Sequence, residues 1–247
     1  VRHMPLISIP AASPPSPYWV RGTGNLPERL LEQRRWTEEA PSRVATLFST
    51  QERRELAEHI RTRVVLGAGM TLGQEPIHPP LVPGVTDADW GTVAHGWMAW
   101  WRFAGAPDIS EIQDYLRSEW QSGSDSIAEW LLAFSQQLET TKSPLWLEAT
   151  DRSTRLMFER PIIGVGLNNM LLSGRIDLLI QRGQRLTIVD FKAGEHSPTK
   201  VSNIETQANL RTYGPQLEAY RECLENAGYK VDKVGLWFLR TGTTVVW

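Results

Sequence analysis

The spacing of apolar residues divides this chain into a helical first half and a strand-rich second half. Trp90, Ala94, Trp97 and Trp101 recur at intervals of three and four, the stripe of an amphipathic helix. Thr86 with Asp89 three residues on reads as the capping box that opens it, and His95 and Met98 fall on the adjoining face. Ser49 with Glu52 opens an earlier amphipathic helix through Leu56, Ile60 and Val64, preceded by a charged helical stretch over 26–40. Ser110 with Gln113 opens another, and Ile127, Leu131, Phe134 and Leu138 mark a longer helix to about Thr140. Strands then dominate from Leu145 to Lys192. Residues 171–180 are rich in Leu and Ile, Gln181-Arg182-Gly183-Gln184 is a polar connection with a Gly where φ > 0 is called for, and 185–191 form a second strand. Pro215 fits the first turn of a helix carrying Gln216 and Tyr220, with Gly228 at its C′ position, and strands over 234–239 and 243–247 follow.

Helices, a strand meander, one helix and more strands predict an α/β fold of α+β layers around a mixed sheet. Three parts are expected. Residues 1–20 are a tag remnant, Val1-Arg2-His3-Met4, and a Pro/Ser-rich extended leader; 21–85 are an N-terminal helical segment ending in a Pro-rich linker over 73–84; 86–247 form the main domain. Gly67-Ala68-Gly69 is too short a pattern for a nucleotide site. The polar stretch 195–206 is expected as a loop at the mouth of any site formed by the strand before it.

That strand carries the candidate chemistry. Asp190 and Lys192 alternate with Phe191, so they project from one side, and pairing across the turn brings Asp177 near Asp190. Two carboxylates beside a Lys in apolar strands are costly to bury without compensation. A hard cation such as Mg²⁺ takes one or two carboxylates and fills its shell with water and phosphate oxygens. Alone, an Asp-x-Lys on a strand is common and usually means a solvated face or a local ion pair.

More than the triplet is present. Gly174, Ile176 and Asp177 fit a Gly-x-Ile-Asp strand; Val189, Asp190, Phe191 and Lys192 a Val-Asp-Tyr/Phe-Lys strand; Gln216-Leu217-Glu218-Ala219-Tyr220 a Gln-x-x-x-Tyr helix; Gly91-Thr92-Val93-Ala94-His95 a Gly-Thr-x-x-His helix. In this order, over about half the chain, the set resembles the RecB-type branch of the PD-(D/E)xK nuclease superfamily. The resemblance implies a restriction-endonuclease-like core, a central mixed sheet flanked by helices, and DNA hydrolysis dependent on Mg²⁺ or Mn²⁺. It implies His95, Asp177 and Asp190 as metal ligands with the Phe191 backbone carbonyl completing the shell, Lys192 orienting the attacking water, and Gln216 and Tyr220 along the DNA path. Ala193 stands where the family often has Thr. Related nucleases often carry an acid where Glu159 stands, which makes Glu159 a candidate ligand or outer-shell group; a strand-edge charge beside Arg160 is an equal reading, and Glu148 is a weaker candidate. Implied partners are DNA, single-stranded or end-containing, and a helicase domain or subunit, as in the RecB/AddA helicase–nucleases of DNA repair.

Read from residues alone, His95 is also consistent with an ordinary core or surface histidine, and Tyr220 with packing beside Leu217 and Leu224. Gln216, a donor and acceptor where a core face would carry an aliphatic residue, favours a functional stripe of Tyr213, Gln216 and Tyr220. Trp90, Trp97 and Trp101 read as core, with Trp100 exposed. Two other functions stay open: a catalytically silent nuclease-like module that binds DNA or a partner, and a different metal-dependent phosphoesterase.

Composition bounds these readings. With 247 residues, 41 % of them hydrophobic and 22 % charged, the chain is an ordinary soluble globule. The single Cys223 excludes a disulfide framework and the four-cysteine iron–sulfur cluster of some RecB-like nucleases. A net charge of −2 places any DNA affinity in a local groove or another subunit, with Arg152, Arg155, Lys200 and Arg211 as groove candidates. No run approaches the roughly 18 apolar residues of a membrane span. No apolar secretory core is seen, so a cytoplasmic location without membrane contact is expected.

Overall fold

The computed structural model describes residues 49–63, 65–66, 76–81, 85–120, 124–165, 171–193 and 203–247. The leader, the helix over 26–40, Gly67-Ala68-Gly69 and Lys200 lie outside the described residues.

Local capping chemistry sets the helix starts. Helix α1 (Thr50–Arg61) opens where the Glu52 N–H donates to Ser49 Oγ at 3.2 Å and the Ser49 N–H to the Glu52 carboxylate at 2.7 Å. Strand β1 (Val65–Leu66) follows. Helix α2 (Asp87–Trp101) opens on the same reciprocal pair between Thr86 and Asp89, at 3.3 and 2.7 Å. In helix α3 (Ile109–Trp120) the cap is Asp108 rather than Ser110. Its carboxylate accepts the Glu111 N–H at 2.9 Å while Glu111 accepts the Asp108 N–H at 3.2 Å, a box that Ser110 with Gln113 does not form. Helix α4 (Asp125–Thr141) is the long one expected.

Residues 144–149 correct the strand reading. They form a short helix, α5 (Pro144–Ala149), because Ser143 caps the Trp146 N–H at 3.2 Å and Pro144 takes the first helical position. Strands begin only at β2 (Arg155–Val165), followed by β3 (Leu171–Arg182) and β4 (Arg185–Lys192). Helix α6 (Asn203–Asn226) then starts inside the stretch expected as a loop and carries Pro215 in its interior, not its first turn. The proline removes one backbone N–H. The helix persists because Leu210, Leu217, Ala219, Tyr220 and Leu224 are buried against the sheet and α1, and tertiary burial outweighs one lost bond. It ends in a Schellman turn, with the Tyr229 N–H on the Leu224 carbonyl at 3.0 Å, the Gly228 N–H on the Glu225 carbonyl at 2.9 Å, and Gly228 at φ 87°. Strands β5 (Lys230–Phe238) and β6 (Thr243–Val246) complete a six-stranded sheet in the order β1-β6-β5-β4-β3-β2. Its pairs are antiparallel except β4–β5, which is parallel and bridged by α6. This is the expected mixed sheet flanked by helices.

Each face of the sheet carries its own core. Trp90, Trp97, Trp101, Phe134 and Trp146 from α2, α4 and α5 pack on Phe158, Leu178, Val189 and Trp237. On the other face Ala57 and Ile60 of α1 join Leu217, Tyr220 and Leu224 of α6 over Ile176, Ile188 and Leu236. Helix α1 thus packs into the same body as the sheet.

The alternation of faces breaks at one level. Along β3, Leu172, Ile176 and Leu179 pack on the α6 side while Leu178 and Ile180 pack on the α2 side. Regular pleating would keep residues 176 and 178 together. In β2, Phe158 faces α2 but Ile162 faces α6. Both shifts fall at Glu159 and Asp177, the one step of the β2–β3 ladder that forms no pair although the register is the same on either side, and Glu159 there has φ 52°. Among the described residues, no helix is long and apolar enough to cross a membrane.

The Gly228 turn gives a clean stability test. An added Cβ meets nothing within 4 Å, so the cost of Gly228→Ala is that of the left-handed backbone alone. Urea denaturation should show a loss of about 1–2 kcal/mol.

Candidate active site

The β3–β4 hairpin sets two carboxylates side by side. A two-residue turn, with Gly183 at φ 61°, fixes the register Leu178↔Val189, and its continuation brings Asp177 beside Asp190. The two then turn to different partners. Asp177 accepts the Phe191 N–H at 2.7 Å, and its Oδ2 lies 3.7 Å from His95 Nδ1, on the α2 side. Asp190 is 6 % exposed and meets Lys192 Nζ at 2.6 Å. Lys192 in turn lies 4.1 Å above the ring of Tyr213 on α6, a cation–π contact that holds its ammonium from the second side.

Burial sets the protonation states. It pulls His95 down to about 4, against the opposing influence of Asp190, so the imidazole is neutral at neutral pH. Burial, reinforced by the charge of Asp190, raises Asp177 well above the usual carboxylate range, although the Phe191 N–H pulls the other way. Burial also acts to lower Lys192, but Asp190 and Asp177 outweigh it, and the net shift is upward, so the ammonium stays charged. Glu159 is raised by burial and partly relieved by Arg175, whose Nη1 stands 3.3 Å from Glu159 Oε2.

His95, Glu159 and Asp177 each offer a ligand atom, all within 4.8 Å of one another. One neutral imidazole nitrogen and two carboxylates are a donor set that a divalent cation fits. Asp190, expected beside them, lies outside this group and is tied to Lys192. The Phe191 backbone borders the cluster twice, through its N–H to Asp177 and through a hydrogen bond to His95. Gln216 and Tyr220 are 7 % and 1 % exposed, with Gln216 Nε2 donating to Tyr220 Oη at 3.1 Å. Glu148 lies elsewhere, pairing with Lys233 at 2.6 Å and accepting from Thr187. Arg152, Arg155 and Arg211 are exposed.

A family model described as the PD-(D/E)XK nuclease superfamily matches residues 65–245, more than half of the chain. The chain belongs to the PD-(D/E)XK nuclease superfamily. No curated protein matches it. In this PD-(D/E)XK protein the (D/E)XK of the family name is met by Asp190-Phe191-Lys192. Membership points to a nuclease whose substrate is DNA.

Sequence reasoning gave Arg175 no role. Its only signal is its place in Gly174-Arg175-Ile176-Asp177, two residues before Asp177. The grip of Tyr213 on Lys192 was signalled only by the shared stripe with Gln216.

The raised Asp177 has a consequence for pH. Its folded form keeps a proton that the unfolded chain releases, so ionising it costs stability as pH rises through the folded pKa and costs nothing below the ordinary value of 3.8. Asp177→Asn in EDTA should therefore raise the thermal midpoint at pH 8, by about 2–4 °C for each kcal/mol of repulsion removed. The gain should shrink as the pH is lowered toward the ordinary carboxylate range, and thermal scans across pH would show it.

Proposed function

We propose that this PD-(D/E)XK protein is a Mg²⁺- or Mn²⁺-dependent deoxyribonuclease of the RecB/AddA type. One observation carries the reading: the donors of His95, Glu159 and Asp177 converge beside the buried Asp190–Lys192 pair. The cation supplies Lewis acidity toward the phosphodiester and its attacking water. The chain's residues do the rest. His95 stays neutral and offers a lone pair because burial disfavours its protonation, and its bond to the Phe191 backbone fixes the ring. Asp190 and Tyr213 hold the Lys192 ammonium in one place, from which it orients water and meets charge developing on the phosphate. Asp190, through Lys192, completes the site on its α6 side.

The order of the four motifs from Gly91 to Tyr220 supports the RecB/AddA branch. That branch suggests a DNA-repair exonuclease acting on single-stranded or end-containing DNA with a helicase domain or subunit, and a cytoplasmic location. The modest net charge fits affinity supplied by such a partner.

Incubation with linear and circular single- and double-stranded DNA, in Mg²⁺, Mn²⁺ or EDTA, tests the reading. Cleavage should need the cation and should be abolished in Asp177→Ala and in Asp190→Ala. Lys192→Ala should lower the single-turnover rate by about 10²–10³-fold with little change in calcium-supported DNA binding. Full activity in Asp190→Ala would sink the assignment.

Cation binding should also stabilise the fold by about 2.7 kcal/mol at a hundredfold excess over Kd, and by more as concentration rises. His95→Ala, which leaves both cluster carboxylates, should weaken this stabilisation less than Asp177→Ala. Thermal midpoints that coincide with and without millimolar Mn²⁺ would rule out the cluster as a metal site.

A further inference from the structure

The Gly-x-Ile-Asp strand and the Gln-x-x-x-Tyr helix meet in a single contact. A Cβ on Gly174 would stand 2.4 Å from Tyr220 Oη, 2.9 Å from Cε1 and 3.0 Å from Cζ, so the tyrosine ring occupies the space a side chain would need. The Arg175 N–H also hydrogen-bonds to the Tyr220 hydroxyl. Gln216, one helical turn earlier, donates to the same hydroxyl at 3.1 Å and so fixes where the ring points. At 1 % and 7 % exposure, Tyr220 and Gln216 do not reach a DNA strand lying on the surface.

What they do reach is the backbone three residues before Asp177. Pleating changes phase just beyond this point, so the place of the Asp177 carboxylate depends on how the segment 174–176 is held. The next residue, Arg175, is held from two directions: its N–H by Tyr220 and its guanidinium by Glu159 at 3.3 Å. The segment is therefore pinned from α6 and from β2 immediately before the metal cluster.

We propose that Gln216 and Tyr220 are positioning residues, which set the β3 backbone at Gly174–Arg175 and through it the geometry of Asp177 and Glu159. The proposal rests on the reading of His95, Glu159 and Asp177 as the metal site. It makes the glycine of one motif and the tyrosine of the other two halves of a lock: a side chain at 174 displaces the ring, and loss of the hydroxyl frees the strand.

Four proteins test it: wild type, Tyr220→Phe, Gly174→Ala and the double variant. For each, Mn²⁺ affinity by calorimetry, calcium-supported DNA affinity, single-turnover rate and thermal midpoint are measured. Tyr220→Phe should lose about tenfold in both Mn²⁺ affinity and rate, the effect of removing a group that orients a ligand, with DNA affinity near wild type. Gly174→Ala should lose more. The double variant should recover part of that loss, because removing the hydroxyl relieves the tightest of the three contacts. Weakened DNA binding with unchanged Mn²⁺ affinity in Tyr220→Phe would place the hydroxyl on the substrate and overturn the proposal, as would losses in the two single variants that simply add. If Gly174→Ala does not fold, Tyr220→Phe alone decides. A wild-type chain that takes up no Mn²⁺ defeats the metal reading itself, and that result is seen before any variant is made.

Discussion

Burying Asp177 next to Asp190 is the constraint to which the rest of the site answers. Two adjacent carboxylates out of water repel each other and lose hydration, a cost of several kcal/mol unless each finds its own compensation. The fold separates the debts. Asp190 is met by an ammonium, itself seated on an aromatic ring, and Asp177 by a backbone N–H and a neutral imidazole. The result is asymmetric: one carboxylate sits in an ion pair and the other stays under-compensated, its pKa raised by burial and by the charge of Asp190. A buried carboxylate without a counter-charge attracts a cation more strongly than one already in an ion pair.

The asymmetry is built by the sheet. Strict pleating would commit each strand position to one layer, and residues on α2 and α6 would then address opposite faces of a closed sheet. The left-handed Glu159 and the missing ladder pair at Glu159 and Asp177 interrupt that rule at one level. There His95 from α2 and Tyr213 and Tyr220 from α6 work on neighbouring stretches of the same two strands. A non-glycine residue held at φ 52° costs of order 1 kcal/mol or more, and such residues are retained where the surrounding structure over-determines them.

Signals confined to a few residues were legible in the sequence. The Ser49–Glu52 and Thr86–Asp89 boxes, the Gly183 turn and the Gly228 cap depend on near neighbours only, and so do the Trp stripe of α2 and the alternation of β4. The errors have the same root seen from the other side. Ser110 and Asp108 are both plausible caps, and the choice went to the one whose third neighbour is a carboxylate. Residues 145–149 are apolar enough for a strand, but the Ser143-Pro144 start outweighs that pattern. Pro215 reads as a helix start unless the burial of the turns before and after it is known. In the site, the strand motifs brought Asp177, Asp190 and Lys192 together as read. The sequence left Glu159 open between a ligand and a strand-edge charge and Tyr220 between a functional stripe and core packing, and it offered no way to see which carboxylate would face His95. Those outcomes depend on the phase shift in β2 and β3, which arises from a backbone angle rather than from any residue pattern.

The two faces of the sheet are also unequal in their aromatic content. Of the seven buried tryptophans among the described residues, Trp90, Trp97, Trp101, Trp130, Trp146 and Trp237 sit in the α2 layer and only Trp247 in the α6 layer. Fluorescence from the buried tryptophans of the described residues therefore watches mainly one half of the fold. Loosening of α6 alone, which would release Tyr213 and Tyr220 from the strands, would reach the emission of the described tryptophans chiefly through Trp247, whose indole donates to Glu218, while removing the longest described helix from the circular dichroism. Disagreement between the two signals on unfolding would reveal a state in which the layer bearing His95 is intact and the layer bearing the tyrosines has come away.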